Sequence, residues 1–375
     1  MNKIKSQKGI TLIALIITIV VLLILAVVAI RAVQGDGIIA KAKEAKTKYE
    51  EAQALEESML SDFEIELAKS SPTSFDSNTM TGTSFTKTTF LKDAKGKTFV
   101  VPAGYTIVKD DSTEQTVEVD KGVVITDGTN EFVWVPVTTK IQAYGLGTTG
   151  NREPDVVTGV DQSTADSASG NEYDAVPANL TRAGCTQDLN NDKAVNAYDF
   201  KIQLTNEFNE MATSVNKYDG FYVGRYEMSM NGATAQSKSG ETSLGNSSSE
   251  NDWYGLYAKA KTYTNPANSV VSRMIYGSQY DAMMTWMGSA ANTTIGDNRN
   301  TDRTTGTCDT DVINNVYDLY GNSFEWTQEA NNVYYRVYRG GNYQYSRSPS
   351  DRDPDNPEFV DDWGYRGSRL SLYIK

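Results

Sequence analysis

The run VYDLYGNSFEWT at residues 316–327, with RVYRGG at 336–341 and GSR at 367–369, decides how the second half of this chain folds. Paired Gly340 and Gly341 permit backbone angles that other residues avoid. Trp326 is a large apolar anchor, as is Trp134 in the earlier run EFVWVPV at 131–137. Glu325 and Arg369 fall in the same apolar setting. A charge buried there needs a partner, so the two are expected to form one ion pair. These landmarks read as fold maintenance rather than chemistry.

Working upstream, short β-type runs separated by turn residues fill the region from Phe90 onward. Residues 97–101, 104–108, 122–125 and 132–137 read as strands. Helices are expected over about 199–216 and 277–287. Polar, Gly-rich stretches near 142–178, 231–250 and 289–307 read as long surface loops. Residues 70–89 are rich in Ser and Thr and read as a linker.

Four landmarks occur in order: EFVWVPV at 131–137, GFYVGRYE at 220–227, GNSFEW at 321–326, and RGGNY at 339–343 with the closing GSR. Together they resemble the formylglycine-generating-enzyme, or sulfatase-modifying-factor, family over roughly 97–375. That resemblance implies an elaborated relative of the C-type lectin fold, with short sheets, few helices and long loops. In that family two reactive cysteines follow the Arg-Gly-Gly motif and bind copper. By spacing, Tyr345 and Ser350 stand in their places, and no cysteine follows Cys308. Neither residue supplies a soft thiolate, so no catalysis of that kind is expected.

Between the glycines the chain reads NYQYSRSPSDRDPDNPEFVDDWGYR, residues 342–366. Tyr and Trp give rigid contact area, while Ser, Asn and Asp give adaptable hydrogen bonding, the composition of antibody-like contact surfaces. The expected ligand-binding residues are Asn342, Tyr343, Gln344, Tyr345, Arg347, Asp351, Asp353, Asp355, Glu358, Phe359, Asp361, Asp362, Trp363, Tyr365 and Arg366. The layout, closing in a fixed GSRLSLYIK end, resembles the variable proteins of diversity-generating retroelements. The resemblance implies a diversifiable recognition face. An ordinary solvated loop is the plainer alternative.

The N-terminus places the chain. Lys3, Lys5 and Lys8 precede a run from Ile10 to Ile30 broken only by Thr11 and Thr18. About 20 apolar residues cross a bilayer core, and the lysines favour the cytoplasmic side. KGITLI at 8–13 resembles the type IV prepilin signal. That resemblance implies a leader 1–9, cleavage between Gly9 and Ile10, and a retained helix over 10–69. The family's usual glutamate at the fifth mature position is Ala14 here, which suits a minor or tip subunit. Past Gly35-Asp36-Gly37, Ile38, Ala42, Ala45, Tyr49, Ala52, Leu55, Met59, Phe63 and Leu67 recur every three or four residues. They form one stripe of an amphipathic helix over 38–69.

DLNNDKAVNAYD at 188–199 has the spacing of an EF-hand loop. Oxygen ligands for Ca²⁺ would be Asp188, Asn190, Asp192, the carbonyl of Ala194, Asn196 and Asp199. Position 6, normally Gly, is Lys193. The Asp at position 12 resembles the dockerin variant. A structural clip is expected, and an acidic surface turn is the alternative.

The chain has 375 residues and a net charge of −13, which argues against nucleic acid as a partner. It has no histidine, which removes the commonest general base and the commonest zinc ligand. Cys185 and Cys308 could form one disulfide, although sequence cannot place them together.

The whole reads as an α+β protein: a pilin-type helix, a linker, and a binding domain over 90–375. It is expected at the cell surface, membrane-anchored through 10–30 or pilus-associated, with its N-terminus cytoplasmic before processing. Expected partners are other pilin subunits and a protein or glycan ligand. The alternatives are a hydrolase resting on carboxylates such as Asp351, Asp353, Asp361 and Asp362, or a purely structural minor pilin.

Overall fold

Two helices open the chain, α1 over Leu12–Gln34 and α2 over Ile38–Ser70. The computed structural model describes residues 12–34, 38–108, 117–141, 183–189, 191, 193–245, 251–330, 335–360 and 363–375. It divides into two units, residues 1–70 and 71–375.

In the first unit, the side chains of α1 are described over 16–30, and those of its large apolar residues are exposed. Among the described residues, no helix is long and apolar enough to cross a membrane. Gly9 and Ile10 lie outside the described residues. Helix α2 matches the periodic stripe to within a residue at its end. Pairs such as Glu44–Lys48 and Lys46–Glu50 sit one turn apart on it. Tyr49, Leu55, Met59, Phe63 and Leu67 of the stripe are exposed.

The second unit, the head, is a mixed α+β body of many short strands and few helices. It begins earlier than the sequence suggests. Residues 70–89 are not a linker beyond the first of them. Strand β1 (Thr73–Ser74) pairs in parallel with β2 (Thr89–Lys92), which pairs with β3 (Thr98–Val101). Phe75 packs edge-on against Phe99 at 6.1 Å. Asp76 caps the short helix α3 (Ser77–Met80) by accepting from the Asn78 amide. A Ser/Thr-rich stretch is therefore held by a few well-placed bonds that composition does not reveal.

The central sheet comprises β4 (Thr106–Ile107), β5 (Val124–Thr126), β6 (Glu131–Pro136), β7 (Gly220–Gly224), β10 (Val270–Met274) and β17 (Leu370–Ile374). Its strand order is β10-β17-β7-β6-β5-β4. Its strand β17 is buried along its whole length. Trp134 on β6 packs edge-on against Tyr222 of β7 at 5.1 Å, and both are buried. Helix α4 (Ala197–Tyr218) lays Phe200, Leu204, Phe208, Met211 and Val215, all buried and spaced by three or four, against this core.

A hairpin of β8 (Met228–Asn231) and β9 (Thr234–Ser237) starts ahead of the stretch read as a loop over 231–250 and runs into it. Helix α5 (Trp253–Ala260) was not foreseen either; α6 (Gly277–Met287) was. The expected loop at 289–307 holds two 3-10 turns, and 142–178 lies outside the described residues. A small hairpin joins β11 (Val312–Ile313) and β12 (Val316–Tyr317).

The second sheet carries the quoted landmarks. Its strands are β13 (Phe324–Ala330), β14 (Arg336–Arg339), β15 (Arg352–Asp355) and β16 (Arg366–Ser368), in the order β15-β14-β13-β16. Trp326 is buried, as expected of an anchor. Arg369 donates to Glu325 through Nε at 2.9 Å and through Nη2, so the expected buried ion pair forms. Cys185 and Cys308 are both free.

Candidate binding surface

Segment 342–366 runs from the end of β14, through the edge strand β15, to the start of β16. Its entry is fixed by Gly340, whose φ of 73° favours glycine, and by Gly341. A Cβ on Gly341 would stand 1.9 Å from the carbonyl oxygen of Tyr320. No side chain fits there.

The framework holds the segment largely by backbone atoms. The Tyr343 amide donates to the Asn322 carbonyl at 2.8 Å, and the Phe324 amide to the Tyr365 carbonyl at 2.8 Å. The Ser350 amide donates to the Ala291 carbonyl, and the Trp253 amide to that of Pro357. Two arginines outside the segment do the same. Arg299 Nη2 donates to the Gln344 carbonyl at 2.9 Å, and Arg303 Nη1 to the Trp363 carbonyl at 3.0 Å. Sequence reading missed both, because they lie in a polar stretch with nothing to mark them. Bonds to carbonyls do not depend on which side chains the segment carries.

The expected site residues divide into two groups. Asn342 is buried; its Oδ1 accepts from the amides of Gln344 at 2.9 Å and Tyr345 at 2.6 Å, closing a turn. Arg366 is also buried, donating to Asp355 at 2.6 Å and stacking over the Phe359 ring at 4.3 Å. These two belong to the framework rather than to an open face. Asn342 Oδ1 and Arg366 Nη2 both bond within the head. Arg347 is ion-paired to Asp353 and stacks over Phe324 at 5.1 Å. The Tyr343 and Tyr365 rings stack at 5.4 Å, and the Tyr365 hydroxyl donates to Gln344 Oε1 at 3.0 Å.

Gln344, Tyr345, Asp351, Glu358, Phe359 and Trp363 are exposed. Tyr345 and Trp363 are each 60% exposed. Among the described residues of the head, the large apolar side chains left exposed are Val195, Tyr335, Tyr345, Phe359, Val360 and Trp363. All but Val195 lie in the segment or lead into β14 beside it. Asp361 and Asp362 lie outside the described residues.

Beneath the segment sits a buried acidic layer of Glu227, Asp311, Asp318 and Glu325, with Arg369 as its cation. Glu227 accepts from Asn322 Nδ2 at 2.7 Å and from the Ser323 amide at 3.0 Å. Burial pushes the Asp311 carboxyl up to about 6, although the amides of Asn300 and Tyr320 oppose the shift. Burial also raises Glu227, Asp318 and Glu325 above the ordinary carboxylate range. Each of the four is bonded inside the head and closed to solvent, which makes the layer structural.

The layer sets a pH dependence. A carboxyl whose pKa is higher folded than unfolded binds its proton more tightly in the folded state. The resulting stability is fully present below the unfolded value and is lost as pH rises through the folded one. For Asp311 that window runs from the ordinary 3.8 to about 6. The melting temperature should therefore be higher at pH 5 than at pH 7.5, by about 1–3 kcal/mol of stability. Thermal melts read by circular dichroism at both pH values check this.

The expected calcium loop is described in part, since Asn190 and Asp192 lie outside the described residues. Lys193, at position 6, takes a φ of 76°, the turn normally made by glycine. Its amide donates to Asp188 Oδ2 at 2.8 Å. Asp199 is buried and accepts from the amides of Leu189 at 2.6 Å and Asn196 at 2.8 Å, while Asn196 caps helix α4. The Ala194 carbonyl was expected to complete the set. Among the described residues, no group of three or more acidic or cysteine side chains is placed to hold a metal ion. No protein-family model, curated protein or solved structure matches the chain.

Proposed function

We propose that this is a surface-displayed, pilin-like recognition protein whose segment 342–366 binds a ligand without chemistry. The observation that carries the reading is the collection of exposed aromatic side chains on one segment of an otherwise well-buried head. With its backbone held by the framework, the segment can change its exposed side chains without loss of fold, as the likeness to retroelement-diversified proteins requires. The head is read as formylglycine-generating-enzyme-like on the order of its motifs. The Glu325–Arg369 pair and the close-packed Gly341 give those motifs a structural purpose.

The N-terminal helix anchors the protein in the membrane or in a filament. The exposed stripe of α2 suits packing against other pilin-type subunits. Mass spectrometry of surface-extracted protein should find Ile10 at the N-terminus. For the head, binding measured against a panel of immobilised proteins and glycans should give a ligand whose capture is lost in Tyr345→Ala/Trp363→Ala. Capture indifferent to both residues would end the recognition reading.

A bound Ca²⁺ at 188–199 is part of the proposal, supported by the glycine-like turn at Lys193. Binding one ion to the folded state alone stabilises it by about 3 kcal/mol at a hundredfold excess over Kd. Chelation with EGTA should therefore lower the melting temperature by several degrees, and calcium should restore it. Magnesium should not, because it demands tighter octahedral geometry.

A further inference from the structure

Helix α2 sorts its charges by position. Residues 38–49 carry four lysines and one glutamate, whereas residues 50–70 carry seven acids and one lysine. At 3.6 residues per turn, Lys41, Lys46 and Lys48 border the apolar stripe in the first half, and Glu56, Glu57, Glu64 and Glu66 border it in the second. All seven are exposed. Lys46 and Lys48 pair within the helix with Glu50 and Glu44, but these side chains are 61–75% exposed and the pairs stay open to water. Glu57 accepts from Gln53 Nε2 at 3.1 Å. Lys41, Glu56, Glu64 and Glu66 have no side-chain partner among the described residues. Local pairing leaves the first half net basic and the second net acidic. Along the stripe itself Leu55, Met59, Phe63 and Leu67 are exposed.

We propose that this stripe is covered by α2 of a second copy of the chain, parallel to it and displaced along the axis by about five turns. A parallel pair in register would set lysine against lysine and acid against acid along the whole contact, which repels. An antiparallel pair would match the charges but send the two α1 runs to opposite ends. The parallel orientation thus rests on the reading that both copies enter one membrane. Lys46 and Glu64 are 18 residues apart, as are Lys48 and Glu66. Eighteen residues make five turns, about 27 Å, so this displacement brings both pairs level and returns the same helix face to the contact. The charges then flank the buried stripe, as they do at the edges of paired helices. The contact is heterologous: the basic half of one copy meets the acidic half of the next, and the other half of each stays free. It therefore repeats as an open array instead of closing into a dimer.

The test is zero-length carbodiimide cross-linking of the full chain in detergent micelles, with ordinary and nitrogen-15-labelled copies mixed so that links between chains are recognised by mass. Such links should join Lys41, Lys46 or Lys48 to Glu56, Glu57, Glu64 or Glu66. Lys46→Glu/Lys48→Glu should weaken association, read by sedimentation, by about tenfold or more, and adding Glu64→Lys/Glu66→Lys should restore it to within about threefold. Both variants should keep their helical circular dichroism, because Lys and Glu have similar helix propensities. Interchain links confined to Lys46–Glu50 and Lys48–Glu44, or association indifferent to charge reversal, would overturn the displaced packing while leaving subunit association standing. A parent chain that does not associate would overturn the contact itself. Cleavage after Gly9, read at the mature N-terminus, does not depend on either result.

Discussion

Arg369→Met should destabilise the head by about 3–5 kcal/mol, enough to remove much of the stability of an ordinary domain. Arg369 is wholly buried. It donates to Glu325, to the Gly224 carbonyl at 2.9 Å and to the Tyr317 carbonyl at 2.7 Å. It therefore ties the central sheet to the second sheet. Methionine fills similar space but leaves Glu325 without its cation among Glu227, Asp311 and Asp318. The guanidinium's three directions cannot be reproduced by an ammonium, so Arg369→Lys should fail as well. Arg369→Met/Glu325→Gln should recover part of the loss, because the uncompensated charge is gone. The loss should shrink at pH 5, where the acidic layer is more protonated. Urea unfolding read by tryptophan fluorescence gives all of these values.

Gly341→Ala should have an effect of comparable size. An added Cβ would lie 1.9 Å from the Tyr320 carbonyl oxygen and 2.9 Å from the Arg347 amide nitrogen. Both are backbone atoms, which cannot swing aside as a flexible side chain would. Relief requires separating the start of segment 342–366 from the turn at Tyr320. Overpacking of this kind costs about 1–3 kcal/mol or more. Gly96→Ala is the control, because no atom lies within 4 Å of its Cβ position and only its φ of 81° opposes the change. Its cost should stay near 1 kcal/mol. Melting temperatures of the two variants separate a steric clash from a backbone preference.

Much of the head could be read from residues alone, for reasons that differ by element. Helix α4 was legible because its apolar residues recur on one face and Asn196 caps it. The tight entry at Gly340 and Gly341 was legible because only glycine tolerates it. The ion pair of Glu325 and Arg369 followed from the cost of burying either charge alone. The start of the head was not legible, because β1 and α3 depend on bonds to Lys92 and Asp76 rather than on apolar content. Strand β15, RDPD, carries a proline and few apolar atoms. It pairs with β14 from Arg336↔Asp355 to Arg339↔Arg352 only because an edge strand tolerates Pro354.

The candidate surface shows the same division. Composition marked Tyr345 and Trp363, which are exposed, but gave no sign that Asn342 and Arg366 would turn inward. A buried arginine stacked on Phe359 and paired with Asp355 has the same letter as a solvated one. Arg299 and Arg303 were invisible because they act on carbonyls brought near by folding.

A framework that grips the segment by its main chain should not notice which side chains it carries outward. Replacing Tyr345, Asp351, Glu358 and Trp363 together by serine and recording the melting temperature of the full chain tests this most directly. Surface changes of this kind usually fall within about 0.5 kcal/mol each, so the midpoint should stay within about 3 °C of the parent. A drop of 10 °C or so, or loss of cooperative melting, would mean that these side chains hold the fold together and would contradict a changeable recognition face.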